Sequence, residues 1–251
     1  MMNSFISWIG GKKLLRNKIL EIFPETFNRY IEVFGGAGWV LFSSTNKHAK
    51  MEVYNDVNGN LVNLFRCTKH HPEALQKELE FILMSREQFF DAKGQIEVRG
   101  LTDIQRAARF YVLIKESFGS DLHSFGVRPK NIANATDYIL TISKRLNSVV
   151  IENQDFECIL KTYDKKDALF YLDPPYYKTE KYYQDRFMEE DHERLKDSLD
   201  RIKGSFLLSY NDCEYIRELY RGYNIVEVDR MHNLIQGEKK PRYKELLIKN
   251  Y

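Results

Sequence analysis

The four consecutive residues Asp173-Pro174-Pro175-Tyr176 bring together groups that could position an amino group. They directly follow Ala168-Leu169-Phe170-Tyr171-Leu172, an apolar run typical of a fully buried strand. The prolines stiffen the turn, because proline fixes its own backbone angle and restricts the residue before it. A carboxylate, a backbone carbonyl and a flat aromatic face would then lie at the carboxyl end of a strand, where open α/β sheets bind ligands. These groups suit an amino group on a planar ring, whereas the simpler alternative is an Asp-Pro turn after a core strand.

A second candidate site lies nearer the N-terminus, where Gly35-Gly36-Ala37-Gly38 separates a predicted strand from a predicted helix. Glycine lets a ligand approach the backbone, although close packing of a helix on a strand also requires it. Asp56 ends the next predicted strand, at about the 20-residue offset at which such folds place an acid on a ribose hydroxyl. Leu41 stands where the dinucleotide pattern G-x-G-x-x-G has its third glycine. The sequence therefore predicts a ribose-bearing cofactor without a pyrophosphate.

Asp155 and Phe156 follow a further predicted strand and allow two interpretations. An acid with a neighbouring aromatic at a strand end can bind and stack a purine ring. The same pair is equally typical of a helix N-cap followed by a core phenylalanine. His70-His71 has no third ligand at metal spacing, so no metal site is predicted.

Composition limits the kind of protein that this chain can be. With 251 residues, 43% of them apolar, it can form one large domain or one domain with an insertion. A net charge of +2 excludes polyanion binding by the whole surface, so contact with nucleic acid requires a local basic face. The 3 cysteines are widely separated, which indicates neither a disulfide framework nor a zinc site. No signal peptide or membrane span is evident, and we expect a soluble, cytoplasmic protein.

Predicted strands and helices alternate in two parts of the chain that are separated by a segment of a different character. The predicted strands are 30–34, 51–54, 149–151, 169–172, 206–209, 225–228 and 245–248. Alternation of this kind predicts an α/β fold, a Rossmann-like sheet with helices on both faces. Residues 1–66 and 147–251 would form this domain, and the charged, helix-favouring residues 67–146 would form an inserted, mainly helical subdomain.

A ribose cofactor site combined with D-P-P-Y resembles the S-adenosylmethionine-dependent DNA amino-methyltransferases. With Asp in first place the chain is similar to their adenine-specific branch, the bacterial and phage methylases that modify GATC sites. Three further elements occur in the family's order. They are Trp8-Ile9-Gly10-Gly11-Lys12, which resembles W-x-G-G-K, Phe34-Gly35-Gly36-Ala37-Gly38, which resembles F-x-G-x-G, and Asn55-Asp56-Val57-Asn58, which resembles N-D-x-N.

The resemblance implies an enzyme that moves a methyl group from S-adenosyl-L-methionine to N6 of an adenine flipped out of duplex DNA. Residues 173–176 would be catalytic, with no metal, and residues 67–146 would be the target-recognition domain. Lys12, after its Gly-Gly turn, could hold the cofactor's carboxylate. With the glycine turn and the acid–aromatic pair included, the candidate cofactor residues are Trp8, Gly11, Lys12, Phe34, Gly35, Gly36, Gly38, Asp56, Asp155, Phe156 and Asp173.

Basic residues in and beside the predicted insert are candidates for DNA contact. They are Arg99, Arg106, Arg109, Arg128, Lys130, Lys144 and Arg145, with Lys240 and Arg242 between the last two predicted strands. GATC-type members carry an R-x-N-x-x-G-x-F-N-x-P-F-G-like segment in the insert. In its place this chain has only Glu116-Ser117-Phe118-Gly119 and His123-Ser124-Phe125-Gly126, so the resemblance does not predict its target sequence. Such an enzyme serves in restriction–modification, in phage protection and in host marking. We expect a monomer, because the reaction modifies a single base.

Two other functions remain open from the sequence. The same fold could methylate another amino acceptor, namely cytosine N4, an RNA adenine or a protein amide. Alternatively, the chain could be a catalytically silent DNA-binding module, against which the intact D-P-P-Y sequence, glycine turn and Asp56 argue.

Overall fold

The computed structural model describes residues 2–44, 49–126, 133–179, 187–231 and 242–251. A sheet with the strand order β3-β2-β1-β4-β5-β7-β6 forms its centre. The strands are β1 (Arg29–Glu32), β2 (Met51–Asn55), β3 (Val149–Glu152), β4 (Ala168–Leu172), β5 (Ser205–Asn211), β6 (Asn224–Met231) and β7 (Arg242–Lys249). Neighbouring strands are parallel except that β7 runs antiparallel to β5 and β6. The predicted strands and the predicted Rossmann-like α/β fold are confirmed.

Helices cover both faces of this sheet. They are α1 (Arg16–Ile22), α2 (Trp39–Ser43), α3 (Gly59–His70), α4 (Pro72–Glu80), α5 (Arg86–Ile96), α6 (Asp103–Glu116), α7 (Ala133–Leu146), α8 (Phe156–Tyr163), α9 (Glu189–Leu199) and α10 (Glu214–Leu219). Local signals explain several helix starts: the Asn58 side chain caps α3, and Thr102 with Gln105 forms a capping box on α6. Within the described parts of the chain, no helix is long and apolar enough to cross a bilayer.

The central strands β4 and β5 are largely apolar because both of their faces are buried. Successive side chains of a strand point to opposite faces of the sheet. On one face Ile31 and Phe170 pack with α8, α9 and α10, and on the other Tyr30 and Tyr171 pack with α2, α3 and α6. Burial on both sides removes the polar alternation that a half-exposed strand shows.

Residues 67–146 are largely helical, as predicted, but they are closely joined to the sheet domain. The predicted boundary at 67 falls inside α3, which continues to His70. Helices α4 to α7 belong to the same hydrophobic cluster as Tyr30 and Tyr171. The assignment of this segment as a separate target-recognition domain stays a prediction.

The strand order decides where ligands can bind. β1 lies between β2 and β4, and the chain crosses from one half of the sheet to the other at this point. Such a reversal opens a crevice at the carboxyl ends of the strands. The glycine turn after β1, Asp56 after β2 and Asp173 after β4 therefore meet at one edge, where the Gly35 amide donates to the Asn55 carbonyl at 2.7 Å.

Candidate active site

A cavity of about 1240 Å³, including the volume open to solvent at its mouth, lies at this edge of the sheet. Most of the predicted site residues form its wall, namely Trp8, Gly11, Lys12, Phe34, Gly35, Gly36, Asp56, Asp155, Phe156, Asp173 and Pro175. Gly38, Pro174 and Tyr176 lie outside this lining. Predicted residues as far apart in the sequence as Trp8 and Pro175 thus line one cavity.

The glycine turn is held between two aromatic rings. Gly36 and Gly38 have φ angles of 49° and 67°, in the left-handed region that favours glycine. A Cβ atom on Gly36 would lie 3.0 Å from the Trp8 ring, and one on Gly35 would lie 2.3 Å from the Tyr54 ring. The Tyr54 hydroxyl also donates to the Gly36 carbonyl at 2.7 Å. The turn therefore brings bare backbone to the floor of the cavity.

We expect Gly35→Ala to disturb this floor, because the added methyl group has no space beside Tyr54. The predicted loss of unfolding free energy is about 1–3 kcal/mol, as for other overpacked sites, with weaker cofactor binding. Thermal unfolding and a cofactor titration check both effects. Gly94→Ala is the matched control, since nothing lies within 4 Å of the added atom and alanine favours the helix. Equal behaviour of the two variants would contradict this account.

Asp56 connects the glycine turn to the start of α3. One carboxylate oxygen accepts from the Gly36 amide at 2.8 Å, and the other accepts from the Asn58 amide at 2.9 Å. Asn58 in turn caps α3 by accepting from the Leu61 amide. A single carboxylate thus fixes two segments of the cavity wall.

The structure decides one of the two interpretations of the Asp155-Phe156 pair. Asp155 caps α8 by accepting from the Glu157 amide at 2.9 Å, and Phe156 is buried, so the helix-cap interpretation is confirmed. Both residues also line the cavity, where their role toward a purine stays a prediction. Arg194 donates to Asp155 at 3.0 Å and stacks over the Phe156 ring at 4.3 Å. No sequence pattern indicated a role for Arg194, which lies in the amphipathic helix α9.

Lys12 pairs with the acid of the D-P-P-Y turn. Lys12 is 4% exposed. Its ammonium group donates to both oxygens of Asp173 at 2.5 and 2.7 Å and to the Gly10 carbonyl at 3.0 Å. The sequence predicts a Lys12 contact with a cofactor carboxylate, whereas here its acceptor is a carboxylate of the chain. The nitrogen also lies 4.9 Å from the centre of the Tyr176 ring.

Glu245 completes this group and was missed by the sequence analysis. The Tyr176 hydroxyl donates to Glu245 at 2.7 Å, and the Glu245 side chain is 2% exposed. Burial, followed by the neighbouring charges of Glu245 and Asp173, raises the pKa of Tyr176 well above its usual range, so the hydroxyl stays protonated. In the sequence Glu245 is one acid beside an apolar run, 69 residues from Tyr176.

Glu32 is a second missed acid, on β1 beneath the glycine turn. Its carboxyl group is buried and accepts from the Tyr30 hydroxyl and the Leu41 amide, both at 2.7 Å. Burial raises the pKa of Glu32 to about 8, which these hydrogen bonds only partly oppose. The group is therefore largely protonated at neutral pH and adds little negative charge beside Asp173. The sequence signal that could have identified Glu32 is its position as an acid inside an otherwise apolar predicted strand.

The amino-acid sequence was compared with those of known protein families. Residues 8–234 match the sequence profile of the D12 class N6 adenine-specific DNA methyltransferases. The chain belongs to this family.

Three relatives match this chain over nearly its whole length. A type II methyltransferase of Lactococcus lactis subsp. cremoris, M1.LlaDCHI, is 28% identical, with 100% of this chain and 96% of the relative covered. The type II methyltransferase M.MjaIII of Methanocaldococcus jannaschii is also 28% identical, with 98% of each covered. A DNA adenine methylase of Haemophilus influenzae is 26% identical, with 97% of this chain and 92% of the relative covered.

The basic residues predicted to contact DNA are spread over this methyltransferase. Arg99 is exposed between α5 and α6, whereas Arg106 pairs with Asp103 and Arg109 pairs with Glu78. Arg242 is the first residue of β7. Three further candidates lie outside the described residues, namely Arg128, Lys130 and Lys240.

Lys144 and Arg145 lie away from the cavity, which argues against the DNA contact predicted for them. They end α7, which leads into the start of β3, so they lie at the edge of the sheet opposite the active site. Arg145 donates to both oxygens of Glu52 at 2.7 and 2.8 Å and to the Leu41 carbonyl at 2.9 Å. The two side chains of this ion pair are 12% and 4% exposed, so the Arg145 guanidinium is engaged within the fold.

We expect Arg145→Ala to lower the free energy of unfolding by about 3–5 kcal/mol, because it leaves the Glu52 charge buried without its partner. The affinity of the folded methyltransferase for DNA should stay unchanged. Chemical denaturation and DNA binding at fixed salt measure the two quantities separately. Lys144→Ala, which changes the exposed neighbour, should affect neither. A loss of DNA affinity at unchanged stability would restore the DNA-binding role of Arg145.

Proposed function

We propose that this chain transfers the methyl group of S-adenosyl-L-methionine to N6 of an adenine that has rotated out of duplex DNA. One observation carries the proposal: the Asp173 carboxylate lies on the wall of the same cavity as the glycine turn and Asp56. Groups suited to hold an amino nitrogen and groups suited to hold a nucleoside-type cofactor are thereby brought together.

The residues of the cavity fit such a cofactor. The backbone of Gly36, next to the Trp8 ring, leaves room that a Cβ atom would take. Asp56 offers a carboxylate for ribose hydroxyls, and Asp155 with Phe156 offers an acceptor and a ring for the purine. When bound, S-adenosyl-L-methionine supplies a methyl group on a positively charged sulfur.

The D-P-P-Y turn would position the target base. Rotating an adenine out of the duplex costs a few kcal/mol, which binding contacts must offset. The Asp173 carboxylate and the Pro174 carbonyl accept the two amino hydrogens, and the Tyr176 ring stacks on the base. Accepting these hydrogens draws the nitrogen lone pair out of conjugation and directs it at the methyl group. Such orientation is worth about 7–11 kcal/mol of the barrier in well-aligned reactions.

DNA contact would come from the helical segment 67–146. Arg99 is a candidate for base or phosphate contact because its side chain is exposed. Arg106 and Arg109 would first have to leave Asp103 and Glu78. We further propose that the protein acts as a monomer in the cytoplasm, a reducing compartment suited to its free thiols at Cys67, Cys158 and Cys213.

A labelling experiment tests the proposal. The purified protein is incubated with S-adenosylmethionine tritiated in its methyl group and with unmethylated genomic DNA, and the DNA is digested to nucleosides. Label in N6-methyldeoxyadenosine is the expected result. Label in N4-methyldeoxycytidine would keep the fold and cofactor but overturn the choice of base. Cofactor binding without transfer to DNA would favour an RNA or protein acceptor, or a silent DNA-binding module.

A further inference from the structure

We propose that Glu245 is a positioning residue for methyl transfer, which fixes the ring of Tyr176 and draws the Lys12 ammonium group away from Asp173. The inference rests on the proposed function, because it concerns the groups that would hold the target adenine. It assigns a role to β7, the last strand in the chain, which carries none of the family motifs quoted above.

The direction of β7 places Glu245 beside the D-P-P-Y turn. β7 runs antiparallel to β5, and Glu245 pairs with Asn211, the last residue of β5. The first half of β7 therefore lies at the carboxyl edge of the parallel strands, where the active site is. A carboxylate buried at this depth requires polar partners.

The partners of Glu245 are the groups that the reaction uses. The Tyr176 hydroxyl donates to Glu245 Oε1 at 2.7 Å, and the Lys12 Nζ atom is 4.0 Å from the same oxygen. Lys12 is 2.5 Å from Asp173, so its ammonium group lies between two carboxylates and nearer to Asp173. All three charged side chains are at least four-fifths buried, where charges interact more strongly than in water.

This arrangement has a consequence for the reaction. While Lys12 donates to both oxygens of Asp173, it competes with the amino hydrogens of adenine for the same lone pairs. A buried ammonium group moves easily only if its charge stays paired. Glu245 provides that second pairing 4.0 Å away, so Lys12 can turn toward it as Asp173 takes the base. The same carboxylate holds the Tyr176 ring in place.

The test uses Glu245→Gln, which keeps the shape and an acceptor for Tyr176 but removes the charge. Single-turnover methyl transfer to unmethylated genomic DNA is measured at saturating S-adenosylmethionine, together with cofactor affinity and melting temperature. We expect transfer to be 10- to 100-fold slower, with the dissociation constant of the cofactor changed less than threefold. Glu245→Asp, which restores the charge, should transfer at least threefold faster than Glu245→Gln.

Two further variants complete the design. Glu227→Gln makes the same chemical change on the neighbouring strand, where Glu227 pairs with Arg217 and Lys244 at the surface, and should transfer at the wild-type rate. Tyr176→Phe keeps every charge and removes only the hydroxyl, so we expect a smaller slowing of about three- to tenfold.

Several results would overturn the inference. They are a wild-type rate for Glu245→Gln, a wild-type rate for Tyr176→Phe, and Glu245→Asp being as slow as Glu245→Gln. Wild-type protein that transfers no methyl group to DNA would instead contradict the proposed function itself.

Discussion

Asp173→Asn should reduce the rate of methyl transfer to DNA by about 10³-fold, at the upper end of the 10²–10³-fold cost of removing one preorganised hydrogen-bonding group from an active site. Asparagine has nearly the same shape, but it replaces one carboxylate oxygen with an NH2 group that cannot accept a hydrogen bond. It also removes the negative charge that faces Lys12. The measurement is the single-turnover rate with labelled S-adenosylmethionine and unmethylated DNA.

Asp167→Asn provides the matched control for this change. Asp167 directly precedes the same strand, β4, and pairs with Arg29 at the opposite edge of the sheet. We expect this variant to transfer methyl groups at the wild-type rate. If folded Asp173→Asn protein is as active as wild type, Asp173 does not hold the amino group and the proposed mechanism is wrong.

Asp56→Ala should weaken the affinity for S-adenosylmethionine by about 100-fold. The change removes the acceptor proposed for the ribose hydroxyls, and a hydrogen bond to a charged group contributes about 1.5–3 kcal/mol. It also releases the Gly36 and Asn58 amides, which the carboxylate holds at 2.8 and 2.9 Å. Isothermal titration of the cofactor measures the effect, and a factor of 100 corresponds to about 2.8 kcal/mol.

Two further variants test whether a loss of cofactor affinity in Asp56→Ala comes from the missing acceptor. Asp56→Asn keeps one oxygen acceptor and should lose less affinity than the alanine variant. Asp91→Ala removes an exposed acid from α5 and should leave cofactor affinity unchanged. An unchanged dissociation constant for folded Asp56→Ala protein would exclude Asp56 from the cofactor site.

The sequence by itself determined the strands and several key residues of the cavity wall, because those signals are local. An apolar run that ends at an acid and two prolines identifies a strand end, as for β4 and Asp173. The parallel order then requires that turns after neighbouring strands meet at one edge. The wall includes Asp56, Gly36 and Asp173 for that reason.

Tertiary structure alone decided which side chains are partners across the chain. Lys12 and Asp173 are 161 residues apart, and Glu245 reaches Tyr176 only because β7 runs antiparallel beside β5. The sequence makes Arg145 a candidate for DNA contact, whereas the fold pairs its side chain with Glu52 in a largely buried ion pair. Composition and spacing report what a residue can do, whereas the strand order and the direction of each strand set which groups it touches.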